Sequence, residues 1–258
     1  MVFLVSLDCN VPSSLEQYNQ HCSKLCLILK NVRTVMQSNY LEQKTKLLNQ
    51  NLLQKFEDAF QKQIHVSSKF IGERRIKSRR GSRVSLFPSI KNQGLICLES
   101  NLELAHAISL ERDEDILQYR TQAVQIFISN QHFIIPDFII KTVNGFEVHE
   151  VKPNLKTISE RHISRFNLAE NILSNHNIKF RIYDHNNLLS KQDSLFLSIS
   201  YQRTNYQNIN PMALEKAETI IKNHKFKDRE DLYSLMKDHN LNLIIADYFI
   251  FYKKILGI

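Results

Sequence analysis

The chain reads as an α/β protein: a mixed sheet flanked by helices, with an N-terminal helical extension over residues 1–67, a main domain over 68–200 and a small C-terminal helical, helix-turn-helix-like module over 205–258. Three observations predict this. Residues 131–153, QHFIIPDFIIKTVNGFEVHEVKP, set two runs rich in Ile, Phe and Val on either side of Asn144-Gly145, the pair that most readily enters a tight hairpin turn. A helix-like stretch and the strand-like IKFRIYDH follow, and strand, helix, strand in succession predicts a crossover between parallel neighbours. Between Ser13 and His65 there is no Gly or Pro, and Leu48, Leu52, Phe56 and Phe60 recur every fourth residue, as one packing face of a helix does. A chain of 258 residues, 43% of them hydrophobic, can bury a sizeable core and is somewhat long for one compact domain.

After the helical extension comes a basic arm. Residues 69–91 hold eight Lys and Arg against Glu73, nearly all of the net charge of +8. Arg74, Arg75, Lys77, Arg79, Arg80, Arg83 and Lys91 are punctuated by Gly and Ser, the composition of a segment that lies along a phosphate backbone; a solvated linker has the same composition. Residues 100–112 then read as a helix opened by Ser100-Asn101-Leu102-Glu103, a capping box whose carboxylate reaches back to a free amide. Glu103 is also placed to offer a carboxylate to a site, with Glu99 as its rival.

Residues 123–130, AVQIFISN, are expected to form the strand before the hairpin. With a two-residue turn at Asn144-Gly145, Val143 faces Phe146, Ile139 faces Glu150 and Asp137 faces Lys152. Side chains alternate across a strand, so Asp137, Glu150 and Lys152 share one face, with opposed Cβ atoms about 5 Å apart. Two carboxylates among apolar neighbours are costly unless something compensates them. A divalent cation would do so, and oxygen-only ligands suit magnesium or manganese. The alternative is a cross-strand ion pair on an edge strand, which Pro136 also allows.

The helix after Pro153 should turn Ile158, Ile163, Phe166, Leu168 and Ile172 inward, and residues 186–210 read as a strand-poor connection. Residues 212–258 give two or three short helices with a tight turn at His239-Asn240. Cys9, Cys22, Cys26 and Cys97 lack zinc-ligand spacing, which fits a reducing compartment, the cytoplasm. The opening MVFLVSL has no basic n-region and no cleavage site, and no run approaches the roughly 20 apolar residues of a membrane span.

Taken in order, Pro88-Ser89-x-Lys91, Glu99-Ser100-x-Leu102-Glu103, the acidic turn Arg112 to Asp115, Tyr119-Arg120-x-Gln122, Pro136-Asp137-Phe138 and Glu150-Val151-Lys152-Pro153 resemble the TnsA endonuclease subunit of heteromeric Tn-seven-like transposases, of the PD-(D/E)xK nuclease superfamily. The resemblance covers about residues 70–185. It implies a restriction-endonuclease-like fold in which Glu103, Asp137 and Lys152 are catalytic, with Glu150 at a ligand position that is Gln in some members. It also implies Mg2+, for which Mn2+ can substitute, held by Glu103, Asp137, Glu150 and the Val151 carbonyl. The substrate would be double-stranded DNA at transposon ends, cut beside a strand-transfer transposase subunit and a regulatory ATPase. Gln122-Ala123 departs from the family's frequent Gln-Pro without touching a catalytic position. A restriction-type or junction-resolving nuclease of the same fold, or a non-catalytic DNA-binding scaffold, are the other readings.

Overall fold

The computed structural model describes residues 15–62, 70–71, 74–75, 85–206 and 208–255. Elements in chain order are α1 Leu15–Leu48, α2 Leu52–Gln61, the two-residue strands β1 Phe70–Ile71 and β2 Arg74–Arg75, β3 Ser85–Ser89, β4 Gly94–Leu98 and α3 Asn101–Arg112. There follow β5 Ile116–Thr121, β6 Ile126–Phe127, β7 Phe133–Ile134, β8 Phe138–Thr142, β9 Gly145–Val151, α4 Glu160–Ser174, β10 Lys179–Tyr183, α5 Lys191–Tyr206, α6 Pro211–Lys222, α7 Arg229–Asp238 and α8 Ile244–Tyr252. The chain divides into two compact units, and α1 with residues 129–132 falls in one of them while the elements from α2 onward make up the other. In the first unit α1 is one 34-residue helix whose Ile28, Val32, Val35 and Met36 are exposed.

The second unit is built on a four-stranded mixed sheet of order β10-β9-β8-β5, with β9 parallel to β10 and antiparallel to β8. The crossover expected from strand, helix, strand is therefore present, through α4. One sheet face carries Ile139 and Val148, covered by Leu52, Phe56 and Phe60 of α2 and by Ala169 and Leu173 of α4. The rings of Phe56 and Phe60 lie 5.6 and 5.8 Å from that of Phe146. The other face carries Phe138, Ile140 and Val151, under α3 and the C-terminal helices. Those helices share a core with the sheet: Tyr201, Leu232, Ile250 and Phe251 pack in the same cluster as Phe87, Ile108 and Tyr119.

Three expectations are corrected. Residues 123–130 do not supply the strand before the hairpin; that neighbour of β8 is β5, and Ile126-Phe127 pairs instead with Phe133-Ile134 in a separate small ladder. In α4 the inward face is Phe166, Ala169 and Leu173, while Ile163 and Leu168 are exposed, because a small residue at 169 lets the helix approach the sheet. Residues 191–206 are a helix, opened by the Ser190 hydroxyl, which accepts from the Asp193 amide and donates to its carboxylate. The β3–β4 hairpin, pairing Phe87 with Ile96, was not anticipated at all.

Candidate active site

The site is made by the hairpin of β8 and β9, and its turn is not where Asn144-Gly145 suggests. Thr142 pairs with Gly145 and Phe138 with His149, so Val143 and Asn144 are the turn residues. Asn144 keeps negative φ, which a type I′ turn at 144–145 forbids, and only Gly145 takes a positive one, 127°. The Thr142 hydroxyl accepts from the Asn144 amide at 3.1 Å and donates to the Gly145 carbonyl at 3.0 Å, fixing this bend. The register thus slips by two residues, and the position opposite Asp137 is Glu150 rather than Lys152. A slip of two preserves the alternation of faces. Asp137, Glu150 and Lys152 remain on one side.

There the three groups interlock. The Asp137 amide donates to Glu150 Oε2 at 3.2 Å, and the Val151 amide donates to Asp137 Oδ2 at 2.8 Å. Lys152 Nζ donates to Glu150 Oε1, to Asp137 Oδ2 at 3.4 Å and to the Val151 carbonyl at 3.1 Å, and lies 5.8 Å over the Phe166 ring. Asp137 and Glu150 are buried, 8% and 7% exposed. Burial, then the charge on Asp137, pushes the Glu150 carboxyl up to about 7. For Lys152 burial alone would favour the neutral amine, but Asp137 and Glu150 outweigh it and hold the ammonium above its ordinary value.

Glu103 comes from the first turn of α3, where the Ser100 hydroxyl accepts from the Glu103 amide at 3.1 Å. Its carboxylate reaches back one residue further than the capping-box pattern suggests, accepting from the Glu99 amide at 2.7 Å and from the Ser100 hydroxyl at 3.2 Å. Burial pushes this carboxyl up to about 7, with the charge of Asp137 the next cause and that of Glu99 the least. The helix acid thus feels the charge of Asp137 on the hairpin.

The oxygen donors of Asp137, Glu150 and Val151 suit a hard divalent cation, because together they already receive the ammonium of Lys152. Among the described residues no group of three or more His, Cys, Asp and Glu side chains stands ready to hold a metal ion. Glu103 is drawn into its own helix cap, and Lys152 spans the other two acids.

Of the basic arm, Arg74 and Arg75 are described only as backbone, pairing Ile71 with Arg74 and Phe70 with Arg75, and Lys77, Arg79, Arg80 and Arg83 lie outside the described residues. Lys91 is half-buried; it donates to the Leu110 carbonyl at 2.9 Å and to that of Asp113, completing the end of α3.

Residues 113–185 match the family model described as TnsA-like endonuclease N terminal. This segment is similar to a TnsA-like endonuclease domain. No curated protein gives a significant match to the chain. The TnsA-like match spans β5 to β10 and so includes Asp137, Glu150, Val151 and Lys152 but not Glu103, whose place beside them rests on the structure.

One group in the TnsA-like domain was missed from sequence. His149, beside Glu150 but on the opposite face, lies 3.0 Å through Nδ1 from Nε2 of His106 on α3, and its own Nε2 is 3.0 Å from Glu147 Oε2. Burial drives both imidazoles down, His149 to about 4, so both are neutral near pH 7. Spacing alone hints that His106 follows Glu103 by about one turn; that it meets His149 depends on how α3 crosses the sheet.

Proposed function

We propose that the protein is a DNA endonuclease of a transposition machinery that hydrolyses a phosphodiester with magnesium, or manganese in its place. The observation that carries this reading is the triple contact of Lys152 with Asp137, Glu150 and the Val151 carbonyl inside a TnsA-like endonuclease segment. Asp137, Glu150 and the Val151 carbonyl would hold the ion, with Glu103 approaching from α3. When bound, the ion supplies a more acidic water and neutralises charge building on the scissile phosphate.

The remaining work falls to the chain's own groups. Seated against Asp137 and Glu150, Lys152 offers a positive charge and a donor that orients the attacking water or meets the negative oxygens of the transition state. Asp137 holds the strand ends together through the Val151 amide, which fixes where the Lys152 side chain departs from the sheet. The physiological substrate on this reading is the non-transferred strand at transposon ends, in the cytoplasm, beside a strand-transfer subunit and a regulatory ATPase. No helix among the described residues is long and apolar enough to cross a membrane.

Nicking of supercoiled DNA with Mg2+ or Mn2+ tests it. Asp137→Ala and Lys152→Ala should each lower the rate on the order of 100-fold or more. Cleavage unchanged by both substitutions would remove the site assignment.

A further inference from the structure

Glu103 makes no hydrogen bond to Asp137, Glu150 or Lys152; its carboxylate is bonded to its own helix start. Like charges on Glu103 and Asp137 push α3 and the hairpin apart at this end. Something must hold the helix acid within reach of the strand acids.

The chain from His106 to Glu147 is built for that. His106 lies one turn beyond Glu103 and His149 immediately before Glu150, 2% and 3% exposed. Their 3.0 Å contact is the only side-chain hydrogen bond between α3 and β9 among the described residues. Glu147 sets its polarity. With Arg181 Nε donating to Glu147 at 2.9 Å and Lys179 Nζ 3.5 Å away, that side chain is an ionised acceptor, so His149 carries its proton on Nε2 and presents a lone pair at Nδ1. His106 must then donate from Nε2, which leaves its Nδ1 as a bare acceptor, and this atom is indeed buried without a partner. Rings clamp the pair on both sides: Tyr183 lies 4.5 Å from His106 and 4.9 Å from His149, and Phe138 lies 5.0 Å from His106.

We infer that His106, His149 and Glu147 form a positioning relay, anchored at the surface by Arg181, that holds Glu103 against the Asp137–Glu150 pair so that all three acids can bind one divalent ion. The inference rests on the metal-dependent reading above and names residues that touch neither ion nor DNA. Their effect passes through Glu103.

Binding of Mn2+ to the full chain, followed by electron paramagnetic resonance, tests this without any turnover. His149→Phe keeps the packing against Tyr183 and removes both bonds; it should weaken Mn2+ binding about three- to tenfold. In a Glu103→Ala background the same substitution should cost nothing further, since the residue it positions is gone. A second variant, Glu147→Ala, changes a half-buried side chain and should reproduce the effect in weaker form, and it decides the matter if His149→Phe fails to fold. Equal losses in both backgrounds would mean a general structural role and overturn the relay, as would an affinity that His149→Phe leaves unchanged while Asp137→Ala abolishes Mn2+ binding. Absence of Mn2+ binding by the wild type would overturn the metal reading and the relay with it.

Discussion

The ammonium of Lys152 offsets one of three acids that the fold crowds together, and the remainder is felt as pH dependence. Glu103 and Glu150 both have carboxyls near 7 in the folded chain against an ordinary value of 4.5. A raised carboxyl binds its proton more tightly folded than unfolded, so the stability it confers is complete below about pH 4.5 and is lost as pH rises to about 7. For Glu103 alone this amounts to at most about 3 kcal/mol. His149 works in the opposite sense between about pH 4 and its ordinary value, so the slope for the whole protein mixes both. Comparing wild type with Glu103→Gln separates them: thermal unfolding should place the variant several degrees above wild type at pH 8 and show little difference at pH 4.5. A variant that melts below wild type at both pH values would mean that the cap bonds of Glu103 outweigh its repulsion from Asp137.

Among the elements, the β8–β9 hairpin shows what sequence can and cannot say. Its existence follows from two apolar runs and a glycine, and the sharing of a face by Asp137, Glu150 and Lys152 survives a slip of two residues because faces repeat with that period. The register itself depends on the Thr142 hydroxyl, a contact that a preference for Asn-Gly turns does not weigh. Similarly α5 reads from sequence as a connection because its composition is polar, although a Ser190-x-x-Asp193 cap opens a helix whose Leu197 and Tyr201 are buried. Gly145→Ala tests the turn. A Cβ there meets nothing within 4 Å, so the cost is conformational alone, arising from a φ of 127° that side chains rarely accept. A loss of about 1–2 kcal/mol in denaturant unfolding is expected, and a larger loss would show that the register of the strands, not only the bend, depends on this residue.

At the scale of the molecule, both faces of the sheet are covered, and the cover on one side comes largely from the end of the chain. Arg112, at the end of α3, donates to the carbonyls of Phe251 at 2.9 Å and Ile250 at 3.3 Å, closing α8. Buried Glu111 accepts from the hydroxyls of Tyr119 at 2.8 Å and Tyr201 at 2.9 Å, joining sheet, α3 and α5. These partners lie 8 to 139 residues apart in sequence, which is why composition could suggest separate C-terminal helices but not that they complete the central core. A chain ending at residue 206 should therefore lose cooperative unfolding in calorimetry, and a sharp transition retained by that fragment would show the core to be sufficient without them.

Among the described residues the sheet ends at β10, whose outer rim offers backbone groups to any strand that meets it. Lys179 and Arg181 point from that rim toward Glu147, and a border studded with cations discourages stacking of one molecule on the next. Replacing both with valine would give a flat, greasy margin, and sedimentation velocity at rising concentration should then reveal growing aggregates where the parent chain gives none.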